Sequence, residues 1–242
     1  MDLLTIADAL IADLKPLRFG RLITHVYNPL TYAYEPYQEY VHRYGQRTRE
    51  VLLVGMNPGP WGMVQTGIPF GEVNVVRDWL RITATVGKPE REHPQRPVLG
   101  FACPRSEVSG ARLWGWARNR FGVPPRFFAQ FFVANYCPLA FFDEAGRNVT
   151  PNHLPAQEEV PLLACCDLAL RRSVEVLQSR YVIGVGGFAA SRARAALSGL
   201  NVRVEQILHP SPASPAANRN WAETVESQLA KCGLLIPGAT AE

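Results

Sequence analysis

Four short apolar runs, set apart by stretches of helical periodicity, leave this chain few ways to fold. They are Val51-Leu52-Leu53-Val54, Phe131-Phe132-Val133-Ala134, Tyr181-Val182-Ile183-Gly184-Val185 and the segment from Val202 to Leu208. Most are continuously apolar rather than alternating, as expected of strands covered on both faces in a parallel sheet. Amphipathic patterns fall around and between them, over residues 2–14, 74–85, 112–121, 158–178, 188–197 and 217–231, the last stopping at Gly233. Alternating strand and helix predict a three-layer α/β/α sandwich around a four-stranded parallel sheet. No repeat or low-complexity linker divides it, so one domain over 1–242 is expected, with helices in 1–48 packed on the sheet.

Six tyrosines fall within 18 residues, and Tyr37, Tyr40 and Tyr44 share one helical face. Such a face either stacks on single-stranded bases or packs into the core, and core packing is the expectation. With 47% hydrophobic and 19% charged residues the chain can build a substantial core, which excludes global disorder. Of its 25 basic residues only Lys15, Lys88 and Lys231 are lysines. Arginine's planar fork suits phosphate contact, though a coding bias toward arginine explains the ratio equally. Five scattered cysteines with no C-x-x-C pair argue against a disulfide framework, a zinc ribbon or an iron–sulfur cluster. Met1-Asp2-Leu3-Leu4 does not begin a secretory signal, and no apolar stretch approaches the ~20 residues that span a bilayer. The expectation is a soluble monomer without cofactor or metal, cytoplasmic in a prokaryotic cell or nuclear in a eukaryotic one.

In open parallel sheets, ligands bind beyond the carboxyl ends of the strands. The first run exits into Gly55-Met56-Asn57-Pro58-Gly59-Pro60, the second into Asn135-Tyr136-Cys137-Pro138 and the last into His209-Pro210-Ser211-Pro212. Each exit pairs a side-chain amide or an imidazole with a nearby proline, which fixes φ and ends the ladder. Any one of these could simply satisfy a loop; three at one edge suggest a site. None of the three turns carries a carboxylate, and Cys137, like the other cysteines, is read as a buried thiol rather than a nucleophile. Gly184-Val185-Gly186-Gly187 is half a dinucleotide fingerprint, and a tight strand-to-helix turn accounts for it. The chemistry on offer is neutral: an amide to hold water or read a base edge, and an imidazole to stabilise developing negative charge.

The first exit, continuing through Trp61-Gly62-Met63 and from Gln65 to Val73, closely resembles the first active-site motif of the single-strand-selective monofunctional uracil-DNA glycosylases. His209-Pro210-Ser211-Pro212, with Asn218 to Trp221 behind it, is similar to that family's second motif. Further similarity lies in Val26-Tyr27-Asn28-Pro29, Ser106 to Arg112, Asn135 to Leu139 and Gly146-Arg147-Asn148. The resemblance runs from about residue 25 to the last helix.

It implies an enzyme that flips a damaged nucleotide out of DNA and hydrolyses its N-glycosidic bond, acting on uracil and on oxidised uracils such as 5-hydroxymethyluracil. Asn57 would hold the hydrolytic water and His209 would hydrogen-bond the uracil O2 as charge grows there. Phe70 would stack on the base and Asn135 would read its Watson–Crick edge. Met56, Gly59, Pro60 and Met63 would line the pocket near C5, Gly59 leaving room for C5 substituents. Pro210, Ser211, Pro212, Ala213, Ser214, Asn218 and Arg219 would belong to the loop that wedges into the DNA. No lysine lies near a motif, in keeping with monofunctional chemistry. The chain departs from the family's pattern at Ala213, where animal members carry arginine, at Trp61 in place of the usual phenylalanine, and at Ala134. A same-fold glycosylase acting on hypoxanthine or xanthine, and a non-catalytic binder of damaged bases, are the alternatives.

Overall fold

The computed structural model describes residues 1–20, 22–234 and 236. Its strands are β1 His25–Tyr27, β2 Val51–Gly55, β3 Phe131–Asn135, β4 Ala140–Phe142, β5 Asn148–Val149, β6 Tyr181–Val185 and β7 Arg203–Ile207. Its α-helices are α1 Leu3–Leu14, α2 Pro29–Tyr32, α3 Tyr34–Tyr44, α4 Met63–Thr66, α5 Val73–Asp78, α6 Val108–Phe121, α7 Pro124–Phe128, α8 Ala156–Leu177, α9 Gly187–Ala196 and α10 Pro215–Lys231.

The four apolar runs become β2, β3, β6 and β7, a parallel sheet in the order β3-β2-β6-β7. The two central strands, β2 and β6, are buried at every residue. Their unbroken apolar character follows from helices covering both faces. The edge strand β7 (Arg203-Val204-Glu205-Gln206-Ile207) instead exposes charged and polar side chains, which blunts its free edge. The chain runs from β2 outward to β3, then returns past β2 to place β6 on its other side. A topological switch therefore lies at the carboxyl ends of the central strands, where open sheets form ligand crevices.

Sequence and structure part company in two places. The helical pattern over 74–85 yields only α5, with Trp79 as its C-cap and Arg81 at φ 58°. Trp79 is pinned by an Nε1–H bond to the Gly122 carbonyl (2.9 Å), and Leu80 and Ile82 bury their side chains from non-helical backbone. Tertiary burial outweighs a modest helix propensity here. A second sheet, antiparallel β1-β4-β5, has strands too short for periodicity to reveal. The tyrosines are structural: Tyr40 and Tyr44 are buried on α3 and donate to the carbonyls of Val133 (2.9 Å) and Leu80 (3.0 Å). They form no exposed stacking surface. Among the described residues no helix is long and apolar enough to cross a membrane.

Candidate active site

Main-chain pairing of β2 and β3 continues past the strand ends, with Tyr136 N–H to Gly55 O (2.8 Å) and Cys137 N–H to Met56 O (2.9 Å). The two exits are thereby locked together. Asn57 uses this lock: its Nδ2 donates to the Leu139 carbonyl (3.2 Å) on the β3 exit. That bond fixes which end of the amide is which, and its Oδ1 has no protein donor among the described residues. Asn135 closes β3 opposite Gly55, and its Nδ2 lies 3.2 Å from the Met63 sulfur.

Phe70 sits at φ 55°, unusual for a residue with a side chain. Such a conformation costs on the order of 1–3 kcal/mol and persists only where the surroundings impose it. Here Trp114 Nε1 donates to Pro69 O (3.2 Å), Glu72 N–H to Phe70 O (2.8 Å) and the Thr66 hydroxyl to Gly71 O (3.0 Å). Gly110 of α6 passes so close that a Cβ there would fall 2.0 Å from the Phe70 carbonyl oxygen. The strained turn aims the ring at the cleft, 6.3 Å from the His209 ring centre to centre.

His209 leaves β7 after Leu208, whose N–H is taken by Gln228 Oε1 (2.8 Å) and whose carbonyl accepts from Trp221 Nε1 (2.8 Å), both on α10. Gly186, at φ 93°, packs under the imidazole, and a Cβ there would be 3.3 Å from His209 Cδ2. The glycines after β6 thus serve a tight strand-to-helix turn. Burial lowers the His209 pKa below 6.5, so the ring is neutral at neutral pH.

Asn57, Asn135, His209 and Phe70 line one cleft of about 340 Å³ together with Met56, Gly59, Pro60, Met63 and Ser211. Pro210, Pro212, Ala213 and Ser214 belong to the same loop as Ser211 but are not among the residues lining the cleft. This loop is held from behind: Arg112 on α6 donates to the carbonyls of Pro210 (3.1 Å) and Ser211 (3.4 Å) and to Asn218 Oδ1 (2.8 Å). The Asn218 Nδ2 donates to Pro212 O (2.8 Å). Both ends of that amide are therefore engaged within the loop, while Arg219 is exposed on the first turn of α10. Ala213 is exposed, its N–H bound to Ser211 Oγ (3.1 Å). Arg147 is paired with Asp143. Trp61 lies under two guanidinium groups, Arg105 at 4.4 Å and Arg96 at 5.1 Å from its ring centre.

The cleft also contains residues that the strand-exit pattern did not single out. Asn148 on β5 and Thr150 just after it reach the cleft, as does Glu107 from the N-cap of α6. Glu107 does not cap its helix; its Oε2 accepts from Trp61 N–H (3.3 Å). A Cβ on Gly59 would lie 2.5 Å from that same oxygen, so the space beside Gly59 is filled by a carboxyl group. Burial raises the Glu107 pKa. Its segment, Ser106 to Arg112, carries family resemblance, but no strand-exit pattern places it in the cleft; the tertiary approach of α6 does. Among the described residues no cluster of three or more His, Cys, Asp or Glu is arranged to hold a metal ion.

A sequence profile described as the uracil DNA glycosylase superfamily matches residues 42–230. Single-strand selective monofunctional uracil-DNA glycosylases of Rattus norvegicus and Mus musculus are each 54% identical over 226 residues, covering 93% of this chain and 81% of each relative. The protein of that name from Bos taurus is 53% identical over 225 residues, covering 92% of this chain and 83% of its own. The crystal structure of wild-type SMUG2 from Pedobacter heparinus superposes with a TM-score of 0.64 at 18% identity, covering 94% of this chain and 97% of that one.

Proposed function

The chain belongs to the uracil DNA glycosylase superfamily, and from that premise we propose that it is a monofunctional enzyme removing uracil from DNA by hydrolysis of the N-glycosidic bond. The observation that carries this reading is the convergence of Asn57, Asn135, His209 and Phe70 on one cleft at the carboxyl edge of the sheet.

A base flipped into the cleft stacks on Phe70, a contact worth roughly 1–3 kcal/mol. That offsets the few kcal/mol of unstacking. The Asn135 amide donates to uracil O4 and accepts from N3–H; cytosine presents the reverse pattern and would leave buried polar groups unpaired. This requires the Asn135 amide to leave the Met63 sulfur, a weak acceptor, for a better one. The C–N bond breaks with charge growing on the uracil, and neutral His209 donates to O2 as a preorganised electrostatic stabiliser. Asn57, oriented by Leu139 O, holds at Oδ1 the water that captures C1′. An amide is no base, but an oxocarbenium-like sugar needs a positioned nucleophile more than a deprotonated one.

With the Watson–Crick edge at Asn135 and O2 at His209, C5 faces the turn from Met56 to Met63. Oxidised uracils such as 5-hydroxymethyluracil belong to the same substrate range. The loop from Pro210 to Arg219 enters the base stack, and the protein acts as a monomer. The decisive experiment incubates single- and double-stranded oligonucleotides bearing uracil, 5-hydroxymethyluracil, hypoxanthine or xanthine and scores alkali-labile abasic sites. Uracil release without strand cleavage before alkali is the expected result. Release of the purines with uracil left intact, or binding without release, overturns it.

A further inference from the structure

The carboxyl group of Glu107 stands in the base pocket with no assigned work. It touches Gly59 and Gly62: a Cβ at 59 would be 2.5 Å from Oε2 and 2.8 Å from Cδ, and a Cβ at 62 would be 2.9 Å from Cγ. Both positions admit the Glu107 side chain by lacking one of their own. The turn between Pro58 and Met63 is thus built around this side chain. Among the described residues its single hydrogen bond is the 3.3 Å contact from Trp61 N–H. Among the described residues no cation pairs with it: Arg105 and Arg96 stack on Trp61, and Arg112 is committed to the 210–218 loop.

A half-buried carboxyl with one long hydrogen bond and no counter-charge has unused acceptor capacity. Leaving such capacity dry is costly, whereas a hydroxyl placed against it regains the lost hydrogen bonding. Resting on the reading of the cleft as a uracil pocket, the side of the base that faces this group is C5. We propose that Glu107 is a specificity-determining residue that reads the C5 substituent. It accepts a hydrogen bond from a hydroxyl-bearing group and excludes a bare methyl, which would displace water from the carboxyl and return nothing. With hydrogen at C5 a water molecule keeps the acceptor satisfied.

The test compares single-turnover excision of 5-hydroxymethyluracil, uracil and thymine from one oligonucleotide sequence by the wild type, Glu107→Gln, Glu107→Asp and Glu107→Ala. The quantity read is the ratio of the 5-hydroxymethyluracil rate to the uracil rate within each variant. Glu107→Gln, which keeps an acceptor oxygen at the same reach, should retain the ratio within about threefold. Glu107→Asp, which withdraws the carboxylate by one methylene, should lower it about tenfold or more, as should Glu107→Ala if it folds. Thymine release should rise relative to uracil in Glu107→Ala. A parallel fall on all bases would make Glu107 a mere prop for the Trp61 turn and overturn the proposal, as would an unchanged ratio in both Glu107→Asp and Glu107→Ala. Failure of the wild type to release uracil would instead overturn the pocket reading itself.

Discussion

Gly55 faces Asn135 across β2 and β3, and a Cβ at position 55 would lie 2.5 Å from the Asn135 Oδ1 and 2.5 Å from Phe70 Cε2. The Asn135 amide and the Phe70 ring therefore meet over a position that must lack a side chain. Overpacking a well-filled site costs typically about 1–3 kcal/mol, and here the displaced groups are the two that the proposed function assigns to holding the base. Gly55→Ala should leave a folded protein with a lowered melting temperature and uracil excision reduced about tenfold or more. Steady-state kinetics beside a melting curve would check this; wild-type kinetics in the alanine variant would show that neither group is held where the fold puts it.

Asn57 makes a distinct prediction because it lies beyond the strand end and is assigned to the water rather than to the base. Replacing it with alanine removes both the bond to Leu139 O and the water-binding oxygen. Misplacing a nucleophile by about an ångström costs on the order of 10²-fold in rate. Asn57→Ala should lose at least that much in single-turnover rate while still binding uracil-containing DNA in a gel-shift assay. Near-normal turnover would remove Asn57 from the hydrolytic step.

Much of this was readable before any coordinates. The central strands β2 and β6 were legible because burial on both faces makes them continuously apolar, and the strand exits because ligand crevices form there. Other parts had no signature in the pattern of strands and their exits. Glu107 reaches the cleft only through the close passage of α6, and the two glycines that receive it give no hint of their partner. Arg112 is indistinguishable in sequence from a solvated surface arginine, although its guanidinium ties down three groups of the 210–218 loop. The helix pattern past Asp78 failed for the complementary reason: Trp79, Leu80 and Ile82 are apolar at helical spacing yet are buried from turning backbone.

His209 carries two linked expectations. Loss of one oxyanion-type donor typically costs about 10²–10³ in rate, so His209→Ala should fall in that range, and a loss below threefold would exclude it from the chemistry. Its pKa is depressed by burial. The folded protein thus binds a proton less readily than the unfolded chain. The stability this group confers is present above about 6.5 and declines as pH falls through the lower folded value. Thermal melting between pH 8 and 5 should show less acid sensitivity in His209→Gln than in the wild type.

Arg112 converts α6 into a brace for the 210–218 loop. Removing it frees the carbonyls of Pro210 and Ser211 and the Asn218 amide at once. Hydrogen bonds to a charged donor are worth about 1.5–3 kcal/mol each at most, and partial exposure reduces that. Arg112→Ala should chiefly raise KM for duplex substrate, severalfold or more, with faster proteolysis near residues 211–214. Ala213→Arg probes the same loop from its tip: a cation there should tighten binding to an abasic duplex. Unchanged affinity in both variants would detach this loop from DNA binding.

Glu107 titrates in the opposite sense to His209. Burial raises its folded pKa above the ordinary 4.5, so the fold favours the protonated acid. Relative to an ionised carboxylate, that preference is fully present below about 4.5 and is lost as pH rises through the folded pKa. At neutral pH the wild type bears the cost of a desolvated charge with no cation beside it. Glutamine at this position is neutral throughout and keeps the oxygen that accepts from Trp61 N–H. The melting temperature of Glu107→Gln should therefore gain on the wild type as pH rises from 4 to 8, the difference being smallest at the acid end. A constant offset across that range would mean that the carboxyl is no more desolvated in the fold than in the unfolded chain.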